Sequence, residues 1–150
     1  DGSILASGAD GGTADAGGGS GGGIRIDVGT LTGTGQIRAN GQDGKPRLNV
    51  GGGGGGGGRV AVYYQIMTGF DLTKISAFGG LGNGGLPNGA AGTVYLQGPA
   101  REAGELIIDN NNLNVSSLTT PIPNPSSDST TTFPFQRGNR SSSMRMLPWP

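Results

Sequence analysis

The sequence contains no cysteine and no histidine among its 150 residues. Without cysteine, the chain forms no disulfide, no thiolate-based zinc site and no thiol nucleophile. Without histidine, it lacks the usual general base and the commonest transition-metal ligand. We therefore predict that the protein is not an enzyme and that it has no catalytic residues, no cofactor and no metal ion.

Charged residues and long apolar runs are also scarce. Charged residues make up 13% of the chain, and ten basic side chains balance ten acidic ones. Nucleic acid is not expected as a partner, because it would require a basic patch. No apolar run approaches the roughly 20 residues that span a bilayer, so no membrane span is predicted. The first residue is Asp1, which fits a processed chain or a fragment equally well.

Glycine, by contrast, is abundant and unevenly distributed. It occurs 34 times, and 33 of these glycines lie in residues 1–114. Residues 115–150 are instead rich in serine, threonine and proline. The composition therefore divides the chain into a glycine-rich β-repeat body, 1–114, and an extended tail or docking arm, 115–150.

Two short motifs alternate along the body at intervals of 33 to 38 residues. The first motif follows a glycine run, and its copies contain Ile24, Val60 and Val94. Copies of the second motif begin at Ile4, Ile37 and Ile75, with a degenerate fourth copy at 106–110. Internal repeats of this length are typical of stacked structural units.

Apolar and polar residues alternate within each motif, which predicts β-strands with one buried face. In the first copy, Arg25 and Asp27 would face solvent. The side chains predicted to form the core are Ile24, Ile26, Val28, Ile37, Val60, Val62, Ile75, Val94, Leu96 and Ile107. The pattern thus predicts an all-β body of about three stacked units.

Such a high glycine content has two structural explanations. Glycine supplies the positive φ angles that many turns need, and its missing Cβ lets two backbones approach closely. The run from Gly51 to Gly58 is the extreme case. It fits a mobile loop and a packed, extended strand equally well.

The motifs resemble the glycine-rich, β-helix-like repeats of very large secreted and cell-surface proteins. The resemblance covers about residues 1–112 and rests on Gly-Gly-Gly-Ile-Arg-Ile, Gly-Gln-Ile-Arg-Ala-Asn-Gly, Gly-Arg-Val-Ala-Val-Tyr-Tyr and Gly-Thr-Val-Tyr-Leu. It implies a parallel β-helix or stacked β-roll with glycine-rich turns. It also implies a role as an adhesin, a fibre component or a surface coat.

Acidic residues give little support for a catalytic or metal site. Glycosidases need two carboxylates held about 5–10 Å apart. The candidates Asp27, Asp71, Glu102, Glu105 and Asp109 have no diagnostic setting, so a glycan-cleaving β-helix enzyme is the least favoured function. Asp10, Asp15 and Asp43 lie in glycine-rich loops and are candidate calcium ligands, but turn formation explains these aspartates better.

Two N-glycosylation sequons, at Asn114 and Asn139, favour an extracellular or cell-surface location. Several aromatic side chains could stack on sugars as part of an adhesive or glycan-binding module. These candidates are Tyr63, Tyr64, Tyr95 and Trp149.

The tail combines prolines with apolar side chains that a solvated linker usually lacks. It fits a glycosylated stalk, or an arm that pairs with the exposed sheet edge of a neighbouring copy. The candidate arm residues are Phe133, Phe135, Met144, Met146, Leu147 and Trp149. We predict a subunit of an extracellular filament, stacked end to end with copies of itself, with uncapped ends and the tail touching the next subunit. The alternative is the adhesive or glycan-binding module, with surface glycans as partners.

Overall fold

The computed structural model describes residues 1–12, 14–47 and 50–115, together with three two-residue strands in the tail. Strands predominate, and the helical structure in these ranges is a single 3₁₀ turn at Leu72–Lys74. The prediction of an all-β protein is therefore confirmed. The strands are β1 (Ser3–Leu5), β2 (Gly23–Thr32), β3 (Gln36–Arg38), β4 (Pro46–Arg47), β5 (Val50–Gly51), β6 (Arg59–Thr68), β7 (Ile75–Ser76), β8 (Thr93–Gly98), β9 (Arg101–Ile107), β10 (Ile122–Pro123), β11 (Thr130–Thr131) and β12 (Ser143–Met144).

The three copies of the first motif lie side by side in a five-stranded sheet, in the order β12-β9-β8-β6-β2. Strands β2, β6 and β8 are parallel, and their register aligns Ile24 with Val60 and Val94. Strand β9 pairs antiparallel with β8, and β12 pairs antiparallel with β9. The sheet thus changes from parallel to antiparallel pairing after its third repeat.

The second motif forms a separate three-stranded parallel sheet, β1-β3-β7, in which Ile4, Ile37 and Ile75 are aligned. The predicted fourth copy does not join this sheet. Leu106 and Ile107 lie in β9 instead, paired with β8. The sheets are small and do not close into a continuous β-helix.

The core lies between these sheets and was largely predicted by the alternation of apolar residues. Its buried side chains are Ile37, Ala39, Val60, Val62, Ile75, Ala77, Val94 and Leu96. Six of the ten predicted core residues are among them. Ile24, Ile26 and Ile107 are partly buried against the core, and Val28 is half-buried. Burial on β2 is incomplete because, among the described residues, this edge strand pairs with β6 alone.

Six glycine-rich segments connect the strands and form two layers. The first glycine layer comprises 6–9, 39–45 and 77–83, and the second comprises 16–22, 52–58 and 87–92. Between layers, the N–H groups of Gly52, Gly55 and Gly58 donate to the carbonyls of Lys45, Gln42 and Ala39, at 2.7–2.9 Å. This three-residue period is that of polyproline II, which makes no internal hydrogen bonds and so leaves its backbone groups for neighbours.

The glycine run is therefore packed and extended, and the alternative of a mobile loop is wrong. None of the glycines from 51 to 58 has a positive φ, so turn geometry does not explain them. A Cβ added at Gly55 would approach the carbonyl oxygen of Gly19 closer than the 3.0 Å limit of real Cβ contacts. Gly53 and Gly56 are exceptions, with the nearest atoms 3.6 and 4.0 Å away. Close backbone approach requires glycine at the other positions.

Candidate functional site

An aromatic–polar face, formed by Arg25, Asp27, Tyr63, Tyr95 and Gln97, lies on the side of the five-stranded sheet opposite the core. Parallel pairing brings these residues together from three strands. The register places Asp27 of β2 beside Tyr63 of β6, and Tyr63 beside Gln97 of β8. Residues separated by more than 30 positions in sequence are thus neighbours on one surface.

The side chains of this face form a continuous row of contacts. The guanidinium carbon of Arg25 lies 4.7 Å from the centre of the Tyr63 ring, within cation–π range. The Tyr63 and Tyr95 rings are 5.8 Å apart and inclined at 57°. The Tyr95 hydroxyl donates to Oε1 of Gln97 at 3.3 Å. The structure therefore brings together two of the predicted sugar-stacking tyrosines.

Arg25 and Asp27 anchor one end of the row. Nε of Arg25 donates to Oδ2 of Asp27 at 2.8 Å. This hydrogen bond lowers the pKa of Asp27 and raises the pKa of Arg25. Both side chains are more than half exposed, so the pair contributes little to folding. Sequence alone identified both as solvent-facing residues, but the contact of Arg25 with Tyr63 was missed.

An open depression of about 460 Å³ adjoins the aromatic–polar face. It forms where β8 ends at Gly98 while β6 continues to Thr68. A Cβ added at Gly98 would collide with the Tyr64 ring, so glycine is needed for this ring to pack there. The depression is lined by Tyr63, Tyr64, Gln65, Gln97, Gly98 and Pro99. The third predicted tyrosine, Tyr64, therefore also borders this site.

Three further acidic side chains, those of Asp71, Asp109 and Asp43, accept structural hydrogen bonds. Asp71 accepts hydrogen bonds from the N–H and the hydroxyl of Thr73, which lower its pKa. Asp109 accepts from the N–H of Asn111 at 2.8 Å. Asp43 accepts from the N–H of Leu81 at 2.6 Å. Within the described ranges, no group of three acidic residues could hold a metal ion.

Asp10 links the first two repeats. It forms an ion pair with Lys45, and its Oδ1 accepts from the N–H of Gly12 at 3.1 Å, a local turn. Asp15 has a φ of 70°. The hydrogen bond from Lys45 is the main reason that the pKa of Asp10 is lowered.

Stability should therefore fall in acid. The pKa values of Asp10, Asp27 and Asp71 are below their ordinary value of 3.8 in the folded chain. Each carboxylate adds stability that is complete above its unfolded pKa and is lost as pH falls through its folded pKa. Thermal unfolding followed by circular dichroism should show a midpoint that is constant above about pH 5 and declines below about pH 4. Asp10→Asn should reduce this decline, and an acid-insensitive midpoint in the native chain would contradict the prediction.

The two ends of the strand stacks differ. At the first repeat, the outer edges of β1 and β2 have no partner among the described residues. Ile4 and Leu5 on this open end are 50% and 58% exposed. A long unpaired strand edge is a ready template for pairing with another chain.

The opposite end is closed in part by a side-chain cap, so the prediction that both ends are uncapped is wrong there. Oδ1 of the buried Asn110 accepts from the N–H of Gly79 at 2.7 Å. Its Nδ2 donates to the carbonyl of Gly89 at 3.0 Å. The following Asn111 and Asn112 have positive φ angles of 49° and 61°, which asparagine tolerates better than most residues. The run of three asparagines was the sequence signal for this cap.

Most of the predicted tail residues lie outside the described ranges. Asn114 is described and exposed. The backbone of Met144 lies in β12, where it pairs with Leu106 of the same chain. The candidates outside the described residues are Asn139, Phe133, Phe135, Met146, Leu147 and Trp149.

No protein-family model, curated protein or solved structure matches this chain. Among the described residues, no helix has the length and hydrophobicity needed to cross a bilayer. The two candidate functional surfaces are therefore the open end and the aromatic–polar face with its depression.

Proposed function

We propose that this chain is a structural module of an extracellular or cell-surface assembly, and that it joins its neighbour by strand pairing at the open end. The observation that carries this proposal is the ten-residue strand β2, whose outer edge is unpaired in the described part of the chain. The exposed Ile4 and Leu5 of β1, the edge strand of the other sheet, add apolar area at the same end. Burying both rows would satisfy backbone groups and remove apolar surface from water.

The internal packing supports a structural role. The parallel strand pairs and the two glycine layers repeat together, and we propose that they constitute a stacked β-roll of three units related to a β-helix. The glycine segments are joined to one another by direct backbone hydrogen bonds. Such packing suits a rigid spacer or fibre component.

The closed end limits how whole copies can stack. A neighbour approaching that end would meet β9, β12 and the buried Asn110. In the proposed assembly, the tail reaches the neighbouring subunit by strand exchange, with β12 pairing with β9 of another copy. Exchange of identical elements replaces one set of contacts by the same set between chains.

Sedimentation velocity and electron microscopy of the purified native chain test the assembly. We expect elongated oligomers that grow with protein concentration. Leu5→Lys places a charge on the open edge and should keep the chain monomeric, because edge lysines oppose strand pairing. Ile66→Lys is the matched control: Ile66 is 56% exposed and lies in β6, the strand next to β2, so it is not on the open edge itself. Persistent monomers of the native chain, or equal assembly of both variants, would contradict the proposal.

A second candidate function is glycan binding, favoured by the aromatic–polar face and its adjoining depression. Tyrosine rings offer an apolar surface beside a polar hydroxyl, and Gln97 adds an amide at the same site. Tyr63→Ala should weaken binding of a neutral glycan by about tenfold, as one lost ring contact would. Ile66→Ala, on the same strand but outside the depression, should leave affinity unchanged. A screen of immobilised glycans without binding would contradict this function.

A further inference from the structure

Within each glycine layer, the hydrogen bonds between successive units run in one direction. In the first glycine layer, the N–H of Gly8 donates to Asn40 and that of Gly41 to Phe78, at 2.7 and 2.8 Å. The second glycine layer follows the same rule at four positions. Its donor–acceptor pairs are Gly18 to Gly53, Gly21 to Gly56, Gly54 to Pro87 and Gly57 to Ala90. Within a layer, each unit therefore donates N–H groups to the carbonyls of the unit that follows it in sequence. Bonds that cross from one layer to the other run the opposite way, as from Gln42 to Gly19 and from Gly80 to Gly55.

Each glycine layer therefore has a donor end and an acceptor end. At the donor end, Gly79 is the third member of the series that begins with Gly8 and Gly41. Its N–H donates to Oδ1 of Asn110, a side-chain oxygen in the place of the next unit's carbonyl. This cap explains why the stack stops at the third unit.

The open end is the acceptor end. The carbonyls of Ser7, Gly17 and Ser20 are equivalent to those of Asn40, Gly53 and Gly56, which accept bonds from the first unit. No N–H of the described residues donates to these three carbonyls. A neighbour at this end must therefore supply N–H donors, three residues apart, from an extended backbone.

Two donor positions of the second glycine layer also require glycine. A Cβ added at Gly18 or Gly21 would collide with carbonyl oxygens of the second unit, those of Gln42 and Ala39. The third unit, which no further unit follows, carries Asn88 and Ala91 at the equivalent positions. Side chains thus occur at the donor positions only where no unit packs beyond them.

We infer that the open end binds a further glycine-rich unit of the same type, parallel to the first, with glycines at its two donor positions. The inference rests on the proposed assembly and gives it a direction. The contact continues the interface that already joins the three units.

A tandem duplication of residues 3–35 tests this inference, because it places one more unit at the open end. We expect one cooperative unfolding transition, as in repeat proteins, with a midpoint raised by about 5 °C or more. Amides of the added unit should be protected from hydrogen exchange. Changing Gly18 and Gly21 of the added copy to alanine should abolish both effects. Changing Gly17 and Ser20 of that copy to alanine should preserve them, because Gly17 has no atom closer than 3.6 Å and position 20 already carries a side chain.

Two results would overturn the inference. One is an added unit that exchanges its amides like an unfolded peptide and leaves the midpoint unchanged. The other is a gain that survives the alanine changes at Gly18 and Gly21. Head-to-head dimers of the native chain through their glycine layers would overturn the direction and leave the proposed assembly intact. A stabilising added unit on a chain that stays monomeric would support the direction and count against the assembly.

Discussion

Replacing Gly55 with alanine is expected to destabilise the body severely, whereas the same change at the adjacent Gly56 should be neutral or stabilising. The added methyl at Gly55 would collide with the carbonyl oxygen of Gly19, and Gly55 also bonds to Gln42 and Gly80. Backbone atoms on both sides leave little room for relaxation, so we expect the free energy of unfolding to fall by about 3 kcal/mol or more. At Gly56 the nearest atom to the added methyl is 4.0 Å away, so no collision occurs. Because alanine makes the unfolded chain less flexible than glycine does, the free energy of unfolding should rise by about 0.4–1 kcal/mol.

Urea denaturation of both variants measures this difference directly. Gly54→Ala and Gly53→Ala form a second matched pair, one with a collision and one with 3.6 Å of clearance. The two pairs together test the three-residue period, because composition is identical within each pair. Equal stability of Gly55→Ala and Gly56→Ala would show that the run does not pack as described.

Asn110→Ala is expected to lower the free energy of unfolding by about 2–3 kcal/mol, the second-largest effect among the changes considered. The side chain is 3% exposed and bonds to Gly79 and Gly89. Its loss would leave a buried N–H and a buried carbonyl without these partners. The donor end of the stack should then fray first.

Thermal denaturation and amide exchange at Gly79 test this prediction. Asn114→Ala is the matched control, because its side chain is exposed and only its backbone carbonyl accepts from Asn88. Such a surface change should alter stability by no more than about 0.5 kcal/mol. In the Asn110→Ala variant, we expect amide hydrogen exchange to become faster in the third unit alone. Unchanged protection of these amides would contradict the capping role.

The strands were predictable because their information lies in local alternation. Val60, Val62, Val94 and Leu96 face one side with polar or small neighbours between them, and all four are buried. Edge positions were less predictable. Ile24 has the same local pattern as Val60, but in the described part of the chain its strand has a partner on one side only.

The packing of the glycine run was not predictable, because eight identical residues carry no pattern. The three-residue period arises from bonds to segments between 7 residues (Lys45 to Gly52) and 35 residues (Gly18 to Gly53) away in sequence. One signal was present in the related segments. Ser20, Pro87 and Ala90 are non-glycine residues, and they occupy the positions equivalent to Gly56 and Gly53, where a Cβ has room.

The candidate site was predictable in its parts but not in its arrangement. Tyr63 and Tyr95 were recognised individually as possible sugar-stacking residues, and only the register of β6 with β8 shows that their rings meet. The contact of Arg25 with Tyr63 depends on β2 pairing with β6 in the same register. Such contacts follow from strand pairing, which single motifs do not specify.

The glycine layers also restrict how such a chain can change through inheritance. Almost every amino-acid replacement at an interior glycine adds atoms where a neighbouring carbonyl already lies, so single substitutions offer few routes to adjust this part of the protein. Copying a complete unit preserves every contact at once, because the copy brings its own glycines in the correct register. Proteins built this way should therefore vary mainly in the number of their units, and in the residues of their outward-facing strands.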